Sequence, residues 1–487
     1  MDTPRMRAGS IPAALLIALV CVIGLSALQA SAQDAPPNVL LIAVDDLNDW
    51  IGCLEGHPQA RTPNMDRLAE RGVLFTNAHC QSPVCNPSRA SIMTSLYPET
   101  TGIYFLNPPI AKSEVASNAT VMPQRFVEAG YEVIAAGKLF HHTENQVYFQ
   151  TYGGSFGGFG PLPKEKLAPY PGHPLWDWGA HPGNDEKMPD YKIASWAEEQ
   201  LAKSYDKPLF VATGFYRPHV PHFAPKKWMD LFPLDEVRLP VTAADDLDDL
   251  SEYAINLTRL KHVAPPHEWV VENDEWRPLV QTYLACVAFV DAQVGRVLDA
   301  LDASVHKGNT VVVLYSDHGF ELGEKERWAK RSLWENSTNV PMIIMGPGIE
   351  GGRVCHKPVE LIDIYPTLLD LTGQEADPQH EGQSLVPLLK NPKAAWPHPA
   401  RTSFGPGNVA IKSERYRYIR YVDGSEEFYD HKTDPHELTN LIKDALLAKL
   451  IDAHREHLPT VFHPVLGQNS TGHKAFIASG ERIGNKD

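Results

Sequence analysis

The sequence predicts an α/β protein, a large mixed sheet flanked by helices, followed by a smaller subdomain with an antiparallel sheet. Three observations carry this. Asn38-Val39-Leu40-Leu41-Ile42-Ala43-Val44 and Thr310-Val311-Val312-Val313-Leu314-Tyr315 are continuous apolar, β-branched runs, the pattern of strands covered on both faces. Segments with helical spacing alternate with strand-like runs as far as about Ala394. Beyond it, short alternating runs appear at Val409 to Lys412, Tyr416 to Val422 and Glu427 to Tyr429, with Asp423-Gly424 as a hairpin turn.

Residues 1–32 are expected to precede the fold as a signal peptide. Arg5 and Arg7 make a basic start, Ile11 to Leu28 an apolar run, and Ala30-Ser31-Ala32 a small-residue cleavage site. Gly24 and Ser26 interrupt the run, which favours a cleaved signal over a membrane anchor. The mature chain is then exported to a periplasm, an extracellular space or a lumen, without stable membrane insertion. Residues 33–393 form the expected α/β domain and 394–487 the C-terminal subdomain. A net charge of −16 over 487 residues argues against general affinity for nucleic acid or anionic membranes. An acidic protein can still take an anionic substrate where the site itself is basic. Of six cysteines, Cys21 leaves with the signal, and Cys53, Cys80, Cys85, Cys286 and Cys355 remain. With Cys85 set aside for chemistry, the other four either form up to two disulfides or stay as free thiols.

The first strand ends in Asp45-Asp46. Adjacent carboxylates repel, and at the end of a buried strand they are costly unless a cation joins them. Ligands of open α/β sheets also gather at strand carboxyl ends, so the pair reads as metal-ligating. Thr62-Pro63-Asn64 opens a helix to about Arg71, and Val73-Leu74-Phe75 is a short strand. Next comes Cys85-Asn86-Pro87-Ser88-Arg89. Pro87 and Ser88 read as the start of a helix running from Ala90 to Leu96, with Cys85 just before it, where free amides favour an anion. Arg89 offers a planar fork suited to a tetrahedral oxyanion.

Thr120 is placed to cap a helix from Val121 to Ala129, and Tyr131 to Ala136 is a strand followed by Gly137-Lys138-Leu139-Phe140-His141. Lys138 and His141 can both face a ligand there. Residues from about Val147 to Pro189 are rich in Gly, Pro and aromatics and show no clean period, which marks a functional or disordered segment. Trp176, Trp178 and Tyr170 either stack on sugar rings or plug the underside of that loop. Ile193 to Ala202 has helical spacing, and Pro208 to Thr213 is a strand leading into Arg217-Pro218-His219-Val220-Pro221-His222. Its prolines stiffen the turn that carries His219. Residues 240 to 275 are acidic and patternless; Tyr283 to Leu301 is a long amphipathic helix. The Thr310 strand ends in Ser316-Asp317-His318-Gly319. Met342 to Met345, a helix from Ile362 to Leu371 and a C-terminal helix from Leu438 to Leu450 complete the elements.

Four strands thus end in ionisable residues, and their convergence on one sheet edge would make an active site. Asp45, Asp46 and Asp317 suit a hard cation such as Ca²⁺ or Mg²⁺, while His318 admits Mn²⁺ or Zn²⁺.

Cys85-Asn86-Pro87-Ser88-Arg89 followed by Met93-Thr94 resembles the signature of the type I sulfatases, with Ser95 where a glycine usually stands. Val44-Asp45-Asp46-Leu47, Gly137-Lys138-x-Phe140-His141, Arg217-Pro218-His219-x-Pro221, Asp317-His318-Gly319-x-x-Leu322-Gly323-Glu324, Trp328-Ala329-Lys330 and Asp434-Pro435-His436-Glu437 are similar, in order, to iduronate-2-sulfatases. The resemblance implies an alkaline-phosphatase-like fold and oxidation of Cys85 to formylglycine by a formylglycine-generating enzyme. It also implies one Ca²⁺ held by Asp45, Asp46, Asp317, His318 and residue 85. In that family one hydroxyl of the hydrated aldehyde attacks sulfur and expels the sugar alcohol; loss of the second proton then releases sulfate. Carried over, Arg89 and Lys138 hold the formylglycine, and His141 is the base for the hydroxyl that does not attack. His219 and Lys330 bind sulfate oxygens or protonate the leaving alcohol. The expected function is hydrolysis of sulfate from a sulfated carbohydrate. A phosphodiesterase or phosphonate hydrolase of the same fold, and a non-catalytic sulfated-glycan-binding protein with unconverted Cys85, are the alternatives.

Overall fold

The computed structural model describes residues 36–259, 263–468, 473, 474, 476 and 477; the expected signal peptide lies outside them. Eight strands form the main sheet: β1 (Asn38–Val44), β2 (Val73–Phe75), β3 (Glu132–Gly137), β4 (Thr151–Tyr152), β5 (Leu209–Phe215), β6 (Thr310–Ser316), β7 (Met342–Met345) and β8 (Arg353–Cys355). Their order is β8-β2-β7-β6-β1-β5-β3-β4. β7 runs antiparallel to both neighbours, whereas β6, β1, β5 and β3 are mutually parallel, so the sheet is mixed.

The unbroken apolar runs have a direct structural cause. Alternate residues of one strand feed two separate cores. Leu40, Ile42 and Val44 enter one cluster with Val312 and Leu314, while Val39, Leu41 and Ala43 enter the other with Val311, Val313 and Tyr315. Each Val, Leu or Ile side chain among them contributes roughly 1.5–3 kcal/mol on burial. Helices α1 (Pro63–Arg71), α4 (Pro189–Leu201) and α5 (Trp276–Ala303) cover the first face. Helices α2 (Cys85–Thr94), α3 (Met122–Glu128) and α6 (Ile364–Leu371) cover the second.

The C-terminal sheet is an antiparallel meander of β9 (Ala400–Ser403), β10 (Val409–Lys412), β11 (Tyr416–Arg420) and β12 (Glu426–Asp430). The expected alternation holds here: Val409, Ile411 and Tyr418 face a small core of their own, while Ala410 and Ile419 face Tyr104, Phe105, Leu333 and Trp334 of the large domain. Ser403 N–H donates to Gln81 O and Thr402 Oγ1 to Cys80 O, which anchors the meander just upstream of Cys85. β9 was not anticipated.

Several local expectations need correction. The helix expected from Leu438 to Leu450 begins only at Ala448 and runs to Arg455. Before it, Asn440 accepts from Ile442 N–H and Asp444 from Leu446 N–H, tying the chain into two short 3-10 turns instead. Thr120 is not a cap: Val121 precedes α3 and Pro123 sits in its first turn. The start of α1 is capped from a distance, since the Asp291 carboxylate on α5 accepts from Asn64 N–H at 3.1 Å and Met65 N–H at 2.8 Å. The patternless 240–275 region contains helices Glu252–Thr258 and His267–Glu272. All five described cysteines are free thiols. Trp176 and Trp178 are plugs and not sugar platforms. They are 3% and 4% exposed, and their indole N–H groups donate to Val263 O and Glu275 Oε2. Half-buried Tyr170 lies edge-on to Trp269.

Candidate active site

Because β6, β1, β5 and β3 are neighbours and parallel, their carboxyl ends share one edge. That edge presents Asp45 and Asp46 after β1, Lys138 after β3, His219 after β5, and Asp317 and His318 after β6. Helix α2 runs up to the same place. It starts at Cys85, earlier than Pro87, with extended Val84 before it, so Cys85 is the first helical residue and all of α2 is buried. Ser88 does not cap the helix; its hydroxyl donates to Asp317 O at 2.5 Å and so ties α2 to the end of β6. Asn86 Nδ2 donates to Phe105 O and Pro108 O, both at 2.9 Å.

Cys85 Sγ lies 3.2 Å from His318 Nε2 and 3.5 Å from Lys330 Nζ. His318 Nδ1 is 3.0 Å from Gly319 O, a contact that needs the proton on Nδ1 and leaves the Nε2 lone pair directed at the thiol. Burial lowers the His318 pKa below its ordinary value, which keeps that lone pair available. Lys330 Nζ also contacts both oxygens of Asp46, at 2.6 and 2.8 Å.

Arg89 does not present a free fork to an oxyanion. Its Nε donates to Asp317 Oδ2 at 2.8 Å and its Nη2 to Asp45 Oδ1 at 3.0 Å, while Nη1 donates to Lys138 O. It clamps the carboxylates of two strands. Lys138 Nζ is paired with Asp45 Oδ2 at 2.5 Å and lies 5.0 Å over the Phe159 ring. Burial pushes the Asp45 pKa up, but Lys138, His219 and Arg89 together hold it well below the usual range. Asp46 behaves differently: burial outweighs Lys330 and His318 and raises it to about 7. Asp46 also adopts a left-handed backbone, φ 63°, unfavourable for a residue with a side chain.

His219 stacks on Phe159 with ring centroids 4.4 Å apart. Its Nδ1 is 2.5 Å from Val220 O, and its Nε2 is 3.9 Å from Asp46 Oδ2. Burial, reinforced by Lys330, keeps its pKa well below the ordinary value. His141 packs edge-on against His142, and its buried Nδ1 has no hydrogen-bond partner among the described residues. Burial and Lys138 push its pKa down to about 3, so it is neutral and able to accept a proton.

Ligand atoms of Asp45, Asp46, Cys85 and His318 all lie within 4.8 Å of one another. Two carboxylates and an imidazole nitrogen fit a divalent cation, and such a charge would draw Asp46 back to its ionised form. Asp317 stands slightly apart: its Oδ2 is 3.6 Å from His318 Nε2 but is held by Arg89. Phe159, the platform beneath His219 and Lys138, was missed because it lies in the segment without periodicity. Arg331 was missed although it directly follows Lys330.

The sulfatase family profile matches residues 37–374, and the C-terminal profile of N-sulphoglucosamine sulphohydrolase matches residues 323–462. The chain is 42% identical over 447 residues to a sulfatase of Formosa agariphila, covering 88% of each chain. It is 32% identical over 426 residues to human iduronate 2-sulfatase, covering 78% of this chain and 76% of that one. A solved 2-O GAG sulfatase superposes with a TM-score of 0.69 at 25% identity, covering 86% of this chain and 90% of that chain. The fold is therefore the alkaline-phosphatase-like α/β fold, and the chain belongs to the sulfatase family, whose members hydrolyse sulfate esters.

Proposed function

We infer that this sulfatase removes sulfate from a sulfated carbohydrate, with 2-O-sulfated uronic acid as the substrate class, by way of a formylglycine made from Cys85 and one divalent cation. The observation that carries this reading is the position of residue 85. It opens a buried helix at the sheet edge, with an imidazole nitrogen at 3.2 Å and an ammonium at 3.5 Å from Sγ. The relatives named for iduronate 2-sulfate and for 2-O GAG sulfate support the uronate.

A formylglycine supplies a hydrated aldehyde as nucleophile, and a divalent cation supplies positive charge that favours its ionisation. Asp45, Asp46, His318 and residue 85 would hold the cation, with Asp317 as a fifth candidate ligand; its oxygen-rich donors favour Ca²⁺. Arg89 and Lys138 hold Asp45 ionised and fix the edge on which residue 85 rests. Lys330 and His219 lie where sulfate oxygens and the leaving alcohol are bound, and Lys330 can give up a proton to that alcohol. Neutral His141 is the candidate base for the proton whose loss releases sulfate. Export through the N-terminal signal and maturation by a formylglycine-generating enzyme belong to the same reading.

Mass spectrometry of the Cys85 peptide, on protein purified from its native host, tests the nucleophile. Replacement of the thiol by an aldehyde is expected; an unmodified thiol would overturn it. Paired aryl sulfate and aryl phosphate esters test the reaction: a strong phosphate preference would favour a phosphodiesterase or phosphonate hydrolase, and no turnover of either a glycan-binding protein.

A further inference from the structure

The loop that delivers Lys330 is bent in an unusual way. Lys325, Glu326, Ala329 and Arg331 all adopt positive φ, at 46°, 55°, 76° and 79°. Left-handed backbone is unfavourable for residues with a Cβ, and such strain concentrates where function requires a particular side-chain placement. Lys330 explains part of the bend. Arg331 is the part left unexplained. It is 7% exposed, its Nε and Nη1 have no hydrogen-bond partner, and among the described residues it forms no ion pair.

The other buried cations of the site differ in this respect. Arg89 is paired with Asp45 and Asp317, Lys138 with Asp45, and Lys330 with Asp46. Among the described residues Arg331 has no carboxylate partner; burial lowers its pKa below the ordinary value, although the charges of Cys85 and Asp46 act on it in the opposite direction. A buried guanidinium without a counter-ion is unfavourable unless an anion from outside completes it. The sulfate being transferred already has Lys330 and His219. A uronic acid 2-sulfate brings a second anion, its carboxylate, and a planar two-oxygen anion matches the guanidinium fork.

We propose that Arg331 is a specificity-determining residue that binds the carboxylate of the sulfated uronic acid beside the sulfate held at Lys330. This rests on the uronate reading above. The test measures kcat/KM of the parent, Arg331→Gln and Arg331→Lys on three substrates: a hexuronate 2-sulfate, its methyl ester, and 4-nitrophenyl sulfate. Arg331→Gln should lose about 100-fold on the uronate, chiefly through KM, and at least about tenfold less on the aryl sulfate. Arg331→Lys should recover part of the loss. The parent should lose a similar factor when the carboxylate is esterified, with little further loss when Arg331→Gln meets the ester. Equal losses on uronate and aryl sulfate, or an ester penalty that persists in full without Arg331, would overturn the assignment of Arg331 alone. A parent enzyme that cleaves the aryl sulfate and not the uronate would overturn the uronate reading first, and this inference with it.

Discussion

Among the described residues, two of the buried charge clusters are built differently. One is the carboxyl edge of the main sheet. The other lies between the C-terminal meander and the large domain, where Glu335, Glu437 and His431 surround Arg417. There Arg417 Nε is 2.7 Å from Glu437 Oε1, and Nη2 is paired with Glu335. His431 Nε2 is 2.8 Å from Glu437 Oε1, and Arg417 Nη1 donates to Leu333 O at 3.0 Å. Burial pushes both glutamates up, yet His431 and Arg417 hold Glu335 well below its ordinary range, and Arg417 and His431 hold Glu437 below its own. The second cluster therefore closes on itself. At the sheet edge, Asp45 is held ionised in the same way, but Asp46 rises to about 7 and, among the described residues, Arg331 Nε and Nη1 have no hydrogen-bond partner. The cluster beneath the meander balances its charges internally; the one at the sheet edge leaves charge that, on the function proposed above, a cation and an anionic substrate would complete.

The largest effect that would sharpen this contrast is at Cys85. Cys85→Ala should lower sulfate-ester turnover by about 10⁴-fold or more while circular dichroism and cooperative unfolding persist. A parental rate in this variant would break the reading of the sheet edge as the reactive cluster. Next comes Arg417→Met, which leaves Glu335 and Glu437 facing each other without a central cation. It should cost about 3–5 kcal/mol in urea unfolding, with turnover per folded molecule retained. Loss of turnover without loss of stability would mean that the second cluster is not merely structural. Asp46→Asn should be smaller, about 100-fold in activity, and should abolish the rise in Tm that added Ca²⁺ produces in the parent. An unchanged calcium response would remove Asp46 from the ligand set.

How much of this was legible in the sequence depends on how local each feature is. Buried parallel strands announce themselves as unbroken β-branched runs, so β1 and β6 and the ionisable residues after them were placed correctly, and with them the shared edge. Their places after strands also carried Lys138 and His219 to that edge, while Lys330 came only through the family resemblance of Trp328-Ala329-Lys330. What failed was decided by distant partners. Ser88 looks like a cap, but its hydroxyl is taken by Asp317 O; Arg89 looks free, but two carboxylates from other strands claim it. The helix expected at Leu438 gave way to two side-chain-capped turns. Phe159 and Arg331 had no periodicity to reveal them, and Arg331 becomes notable only once its lack of a partner is seen in three dimensions. The Arg417 cluster was invisible for the same reason, since its members come from α/β and meander segments far apart in the chain.

The smallest effect concerns pH and separates a self-balanced carboxylate from an incomplete one. Glu335 sits below its ordinary value of 4.5 because His431, Arg417 and Lys412 together outweigh burial. A carboxyl group whose pKa is depressed by folding contributes stability that is fully present above its unfolded pKa and lost as pH falls through its folded one. Glu335→Gln should therefore destabilise the protein at pH 7, by about 1–3 kcal/mol, because Arg417 loses one of its two buried partners. That gap between parent and variant should stay constant down to about pH 4.5 and shrink below it, as protonation makes parental Glu335 resemble the glutamine. Paired urea titrations at pH 7, 5, 4 and 3 measure the gap directly. A gap that instead widened on acidification would mean that Glu335 is held protonated in the folded protein, and the second cluster would then be as unbalanced as the first.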